Sequence, residues 1–186
     1  DRPWGGSKPL YGTNPIAFAT PVGGADPLVI DLALSKVARG KIMAARQKGE
    51  TIPGDWALDR NGRPTTDPEE AIEGTMVPAG EAKGAALALM VEIMAAAITG
   101  GNFAFEASSL LDDKGAPPSL GHTIIAIDPV SSGGSAFTER LALIAQEIEK
   151  QENVRLPGRR SQGIRKQALE SGIVIESDIL GEIQSL

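Results

Sequence analysis

The sequence has 186 residues, 41% of them hydrophobic and 23% charged, with a net charge of −6. That balance suits one globular domain, or part of a larger one, with a core that needs no disulfide or metal staple. Cysteine is absent and His122 is the single histidine, which excludes a thiolate nucleophile, a disulfide framework and a multi-histidine zinc site. The acidic balance argues against a general nucleic-acid binder. With 22 glycines and 13 prolines, many turns and short elements are expected.

Asp1 to Gly12 reads as loop. Ile16 to Thr20, ended by Pro21, is a predicted strand, and Gly23-Gly24-Ala25-Asp26 a turn. Leu28-Val29-Ile30 is a second strand, ending in Asp31. A helix follows, capped by Ser35, with Ala38, Ile42 and Ala45 on one face. Arg46 and Lys48 fall in its basic last turn, and Gly49 closes it.

Thr51 to Thr66 reads as irregular, with turn signals at Pro53-Gly54 and Asn61-Gly62. Asp67-Pro68-Glu69-Glu70 opens a short helix: Asp caps, Pro takes the first helical position, and Glu70 stands three residues on. Gly74 stops it.

Ala79 to Gly101 predicts a helix that is apolar on nearly every side and interrupted by Glu92 alone between Ala85 and Ile98. Its length, its charge and its flanks favour a buried core helix over a membrane span. Asn102 to Leu120 reads as irregular, with exposed loop at Asp112-Asp113-Lys114-Gly115 and Pro117-Pro118. Thr123 to Ile127 is a predicted strand and Ser131 to Ser135 a flexible turn. Thr138 to Lys150 is an amphipathic helix burying Leu141, Ile144, Ala145 and Ile148. A basic turn, Arg155 to Arg160, leads to a helix capped by Ser161 and ended by Gly172, and Ile173 to Ile175 reads as a last strand. The elements mix without strict alternation, so α/β and α+β arrangements are both open.

Neither G-x-G-x-x-G nor G-K-[ST] occurs, so the two strongest nucleotide motifs are missing. Gly12-Thr13-Asn14-Pro15 reads as a turn closed by its own side chains, which could alternatively orient a ligand carboxylate. Asp31 to Ser35 is a strand end before a helix, a place that is either a plain cap or an anion and sugar site. Lys83 sits at a glycine-flanked helix N-terminus, where the macrodipole disfavours a cation, so it is either a phosphate or carboxylate ligand or a lysine pointing into water. Arg159 and Arg160 are either a solvated helix start or a phosphate grip. Glu92 reads as a structural buried carboxylate rather than a catalytic one, since isolated buried carboxylates are usually paired. His122 reads as a packing or interface residue rather than a base.

In order along the chain, several segments resemble the non-Rossmann malate/L-lactate dehydrogenase family, which includes the pyrroline- and piperideine-2-carboxylate reductases and ureidoglycolate dehydrogenase. They are Gly12 to Phe18, Leu28 to Asp31, Ser35 to Lys41, Ile52-Pro53, Trp56-Ala57, Pro64 to Pro68, Lys83-Gly84, Met90 to Ile93, Ala126 to Pro129 and Leu156-Pro157-Gly158. The resemblance implies an α/β fold, a mixed sheet with flanking helices forming a non-Rossmann NAD(P) site. It also implies NADPH- or NADH-dependent hydride transfer on a small 2-oxo or 2-imino acid, in a cytoplasmic homodimer without nucleic-acid or membrane partners. By motif it places Asp31, Ser35, Lys83, Gly84, Pro157, Gly158 and Arg159 at the cofactor and Thr13 at the substrate, although relatives often carry an acid where Arg159 stands. The loop from Ser108 to Pro118 looks closest to the cyclic-imine reductases, with malate, lactate or ureidoglycolate dehydrogenation as the alternative. A different reading is a cofactor- or partner-binding fragment without turnover. The family's Ser-His-Gly stretch with its catalytic histidine has no match in this sequence. Residues 1–186 are therefore expected to be the cofactor-binding core and C-terminal portion of a longer enzyme, with no catalytic or metal-ligating residue assigned here.

Overall fold

The computed structural model describes residues 1–23, 25–110 and 114–185. Gly24, Asp112 and Asp113, parts of two predicted loops, lie outside the described residues. The chain divides into two compact units, Asp1–Ala17 with Asp31–Ile127 and Phe18–Ile30 with Asp128–Leu186.

Strands β1 (Ile16–Thr20) and β2 (Leu28–Leu32) form where expected and pair as a two-stranded sheet. The division between units falls within both strands. A second two-stranded sheet joins β3 (Ala57–Leu58) to β4 (Thr75–Met76), antiparallel, with Ala57 opposite Met76 and Leu58 opposite Thr75. The fold is thus mixed α/β, but the described residues hold these two small sheets instead of one larger mixed sheet.

In the first unit, α1 (Arg39–Lys48) buries Ile42 and Ala45 and ends at Gly49, whose φ of 67° suits glycine. Ser35 does not cap it. Ala38 is the N-cap residue, without a side-chain bond, and is itself exposed. The Ser35 hydroxyl instead donates to Asp1 Oδ2 at 2.8 Å, because Ser35 bridges to Pro78 and leaves the helix start too far along the chain. Helix α2 (Pro68–Glu73) begins as read, with Asp67 accepting from the Glu69 N–H at 2.8 Å and Pro68 in the first turn. Glu70 does not reach back to Asp67, since its carboxylate accepts from the Thr65 hydroxyl at 2.6 Å.

Strand β3 lies inside the stretch read as irregular; two residues carry too little alternation to be recognised. Gly74 both stops α2 and lets β3 approach, since a Cβ there would stand 1.9 Å from the Leu58 carbonyl oxygen. Val37, Ile42, Ala45, Ile52, Ala57, Ala71 and Met76 form the core of this region, with Trp56 and Ile72 packed against it.

Helix α3 (Glu81–Glu92) runs into a π-helical segment, Ile93–Ala97. It is not the fully buried helix expected. Gly84, Ala85, Ala88, Glu92 and Ala96 are buried, whereas Leu87, Leu89, Met90, Ile93 and Ile98 are exposed. Thr123 to Ile127 is not a strand: the described residues give it no partner strand, and Ile124, Ile125 and Ile127 are exposed.

The second unit holds α4 (Pro129–Gly133), α5 (Phe137–Glu149), α6 (Arg159–Ser171) and α7 (Ser177–Gln184). The turn predicted at Ser131 is replaced in part by α4, which Asp128 caps by accepting from the Val130 N–H at 3.0 Å. Of the predicted stripe on α5, Ala145 is buried, Leu141 and Ile148 are half-buried, and Ile144 is exposed. Helix α6 starts two residues before Ser161, with Gly158 as its N-cap residue at φ 84°, and ends at Gly172 as read. Ile173 to Ile175 is not a strand, and α7 follows without having been anticipated. Among the described residues no helix is long and apolar enough to cross a membrane.

Candidate functional site

Three of the segments singled out in the sequence meet in the first unit through backbone hydrogen bonds. The Leu34 N–H donates to the Thr13 carbonyl at 2.7 Å. The Ala79 N–H donates to the Leu34 carbonyl at 2.8 Å, and the Lys36 N–H to the Val77 carbonyl at 2.8 Å. A short ladder therefore ties Thr13 to the segment after Asp31, and that segment to the entry of α3.

The entry of α3 is an unusual turn. Gly80 and Glu81 both take left-handed conformations, at φ 69° and 56°. Gly84 is buried against it, since a Cβ would stand 1.5 Å from the Ala79 carbonyl oxygen. No side chain caps the first turn of α3. Lys83 is exposed there and makes no ion pair among the described residues. An uncapped helix start with a free lysine is chemically suited to an anionic oxygen such as a phosphate.

Beside this turn lies a cavity of about 270 Å³ that sequence reasoning missed, lined in part by Arg2, Trp4, Lys36, Asp55, Pro78 and Glu81. Its walls carry both signs of charge. Lys36 Nζ pairs with Asp55 Oδ2 at 2.5 Å, and that hydrogen bond holds the Asp55 carboxyl below its ordinary range. The Arg2 guanidinium stands 5.7 Å from the Trp4 ring centroid and donates through Nη1 to the Gly6 carbonyl at 2.6 Å. The elements that build the cavity are distant in sequence, so no local motif announces it.

Ser35 is buried and engaged with Asp1, while Asp31 is exposed at the end of β2. Thr13 is half-buried, and its hydroxyl has no hydrogen-bond partner among the described residues. Glu92 is buried and hydrogen-bonded, as read. It is 7% exposed, its Oε2 accepts from Asn14 Nδ2 at 2.7 Å and its Oε1 from the Ala104 N–H at 2.6 Å. His122 is exposed, which removes the packing half of its packing-or-interface reading.

Pro157, Gly158 and Arg159 belong to the second unit. There the turn lies on β2: a Cβ on Gly158 would stand 2.9 Å from the Val29 carbonyl oxygen, and Gln162 Nε2 donates to the Pro27 carbonyl at 2.7 Å. Arg159 is half-buried and 3.7 Å from Glu149 Oε1, so this cation already has an acidic partner.

The profile of a family described as malate/L-lactate dehydrogenase matches residues 2–184. A (2R)-3-sulfolactate dehydrogenase (NADP(+)) of Chromohalobacter salexigens is 57% identical over 169 residues, covering 91% of this chain and 50% of the relative. The crystal structure of the delta1-piperideine-2-carboxylate reductase of Pseudomonas syringae superposes with a TM-score of 0.89 at 38% identity, over 98% of this chain and 55% of that one. The sulfolactate dehydrogenase of Methanocaldococcus jannaschii superposes with a TM-score of 0.84 at 31% identity, over 99% of this chain and 54% of that one. The chain spans about half the length of the relatives it matches.

Proposed function

The chain belongs to the malate/L-lactate dehydrogenase family, and we propose that it serves an NADP(H)-dependent oxidoreductase that interconverts (2R)-3-sulfolactate and its 2-oxo acid. The observation that carries this reading is the 57% identity to the sulfolactate dehydrogenase over 91% of the chain. The pyrroline- and piperideine-carboxylate reductases stand at 37–39%. Reduction of a cyclic 2-imino acid is the second reading, favoured by the TM-score of 0.89 to the piperideine-2-carboxylate reductase.

A dinucleotide needs ligands for its phosphates and ribose hydroxyls, and the residues present suit that need. Lys83 makes no ion pair among the described residues and stands at an uncapped helix start, and it would hold a phosphate with the backbone of the Gly80 turn. Gly84 acts indirectly, by letting the helix start lie against Ala79. Asp31, exposed at the end of β2, would accept from a ribose hydroxyl. Ser35 contributes through its backbone ladder, because its hydroxyl is committed to Asp1. Pro157, Gly158 and Arg159 of the second unit carry the cofactor role only as the resemblance implies it, with Arg159 already paired to Glu149. NADPH supplies the hydride that such chemistry requires. On the substrate side, the Thr13 hydroxyl, without a partner among the described residues, would donate to the carboxylate of the 2-oxo acid. The proton donor is left unassigned, since no described group of this chain stands out for it. We extend the reading to a homodimer.

Steady-state turnover of the purified protein with NADPH and NADH tests this, using 3-sulfopyruvate, pyrroline-2-carboxylate, piperideine-2-carboxylate, pyruvate and oxaloacetate. We expect 3-sulfopyruvate with NADPH to lead in kcat/KM by about 100-fold or more, because a site built to hydrogen-bond a substrate group rejects analogues that lack it. A cyclic imine in the lead would replace the first reading by the second. NADPH binding without turnover of any of these acids would overturn both.

A further inference from the structure

Glu92 is a buried carboxylate with no role in the reading above. It stands where α3 passes into the π-helical segment Ile93–Ala97, a helical irregularity that recurs near functional sites. Neither carboxylate oxygen forms an ion pair among the described residues, although the buried Asp1 ammonium feels its charge. Both accept from neutral donors of remote segments, Asn14 Nδ2 at 2.7 Å and the Ala104 N–H at 2.6 Å. Burying a carboxylate is costly, and neutral hydrogen bonds offset that only when all of them are made. An apolar residue would hold a helix in place at lower cost, so the acid calls for another explanation.

Asn14 supplies it. This residue precedes Pro15, a position that favours extended backbone, yet its φ is 42°. Its side chain is pinned twice, with Nδ2 donating to the Ala88 carbonyl at 2.8 Å as well as to Glu92. Gly12 leaves the room: a Cβ there would stand 2.8 Å from Asn14 Oδ1. The residue between them is Thr13, whose carbonyl is fixed by the Leu34 N–H and whose hydroxyl has no partner among the described residues.

We propose that Glu92 and Asn14 are positioning residues, the carboxylate gripping the Asn14 amide so that the strained Gly12–Pro15 turn presents the Thr13 hydroxyl to the substrate. This rests on the reading of Thr13 as the substrate-facing residue. The carboxylate is required because the grip needs two acceptors facing two donors. A glutamine would turn its own NH₂ towards either Asn14 Nδ2 or the Ala104 N–H and release one of them.

The test is a double-mutant cycle on the purified protein, with Thr13→Val, Glu92→Gln and both together. The readouts are kcat, the KM of the 2-oxo or 2-imino acid, and the Kd of NADPH. Each single variant should raise the substrate KM about tenfold, the worth of one well-placed hydrogen bond, with NADPH affinity within about twofold. The double variant should be no worse than Thr13→Val alone, because a missing hydroxyl cannot be misplaced. If Glu92→Gln fails to fold, Asn14→Ser, which keeps a small polar side chain but cannot reach both acceptors, must give the same non-additive pattern with Thr13→Val. Additive KM effects would overturn the proposal, as would KM and NADPH affinity failing together or an unchanged KM in Glu92→Gln. An unaffected Thr13→Val would instead strike at the Thr13 reading, and take the proposal with it.

Discussion

Helices α1 and α3 bury their faces by different rules. Helix α1 carries Arg39, Lys41, Arg46 and Lys48, and its few apolar side chains point where the pattern says, with Ile42 1% exposed. Helix α3 and its π-helical extension are apolar on nearly every side from Ala85 onward, yet their buried stripe consists of glycine, alanines and one glutamate, while Leu89, Met90 and Ile93 are each close to half exposed. In α1 a large side chain fills space in a local core. In α3 the absence of side chain permits close approach, and hydrophobicity does not select the face. An apolar helix thus reports that much of it can be buried, but not which side this chain covers.

The largest effect should come from breaking the close approach. Gly84→Ala forces a methyl group into the Ala79 backbone, 1.5 Å from its carbonyl oxygen, and should cost about 3 kcal/mol in urea unfolding. A neutral result would show that small residues on α3 are incidental. Ile42→Ala should cost about 2–3 kcal/mol by opening a cavity in the α1 core, whereas Leu89→Ala on the exposed face of α3 should change stability by less than about 0.5 kcal/mol. Equal losses at the two positions would erase the distinction between the helices. Asp67→Ala removes the cap that α2 needs beside the α1 core and should cost about 1 kcal/mol, with Asp67→Ser recovering most of it.

The smallest effect is electrostatic and lies in the same region. Asp59 Oδ1 accepts from the N–H groups of Arg63 and Asn61 at 2.9 and 2.8 Å, and these bonds, Arg63 first, hold its carboxyl below the ordinary range. A depressed folded-state pKa means that the stabilisation is present above the unfolded value and fades as pH falls through the folded one. In an NMR titration the Asn61 and Arg63 amides should shift with a midpoint below about 3.9, the ordinary aspartate value. A midpoint at or above it would mean that the Asp59 loop is open in solution.

Helix ends were legible wherever the signal is local. Gly49, Asp67-Pro68, Gly74 and Gly172 mark boundaries that the structure keeps, because capping and left-handed turns involve residues within one turn of each other. Ser35 misled because its hydroxyl had a better partner, Asp1, 34 residues away. The apolar runs Thr123–Ile127 and Ile173–Ile175 misled because a strand exists only with a neighbour, and period alone cannot supply one. At the candidate site, motif resemblance supplied Thr13, Lys83 and Gly84 as proposals, but the cavity beside Lys36 and the Asn14–Glu92 link carry no local signal.

The sequence by itself determined the mixed α/β content, the main helix boundaries and the family, since short-range stereochemistry and motif order are written in neighbouring residues. The tertiary structure alone decided which face of α3 is covered, that the Thr13 and Leu34 segments join the entry of α3 in one ladder, and that Glu92 holds Asn14 across 78 positions of chain. Such pairings depend on how the chain closes in space, and one sequence does not show which distant donor a buried carboxylate will meet.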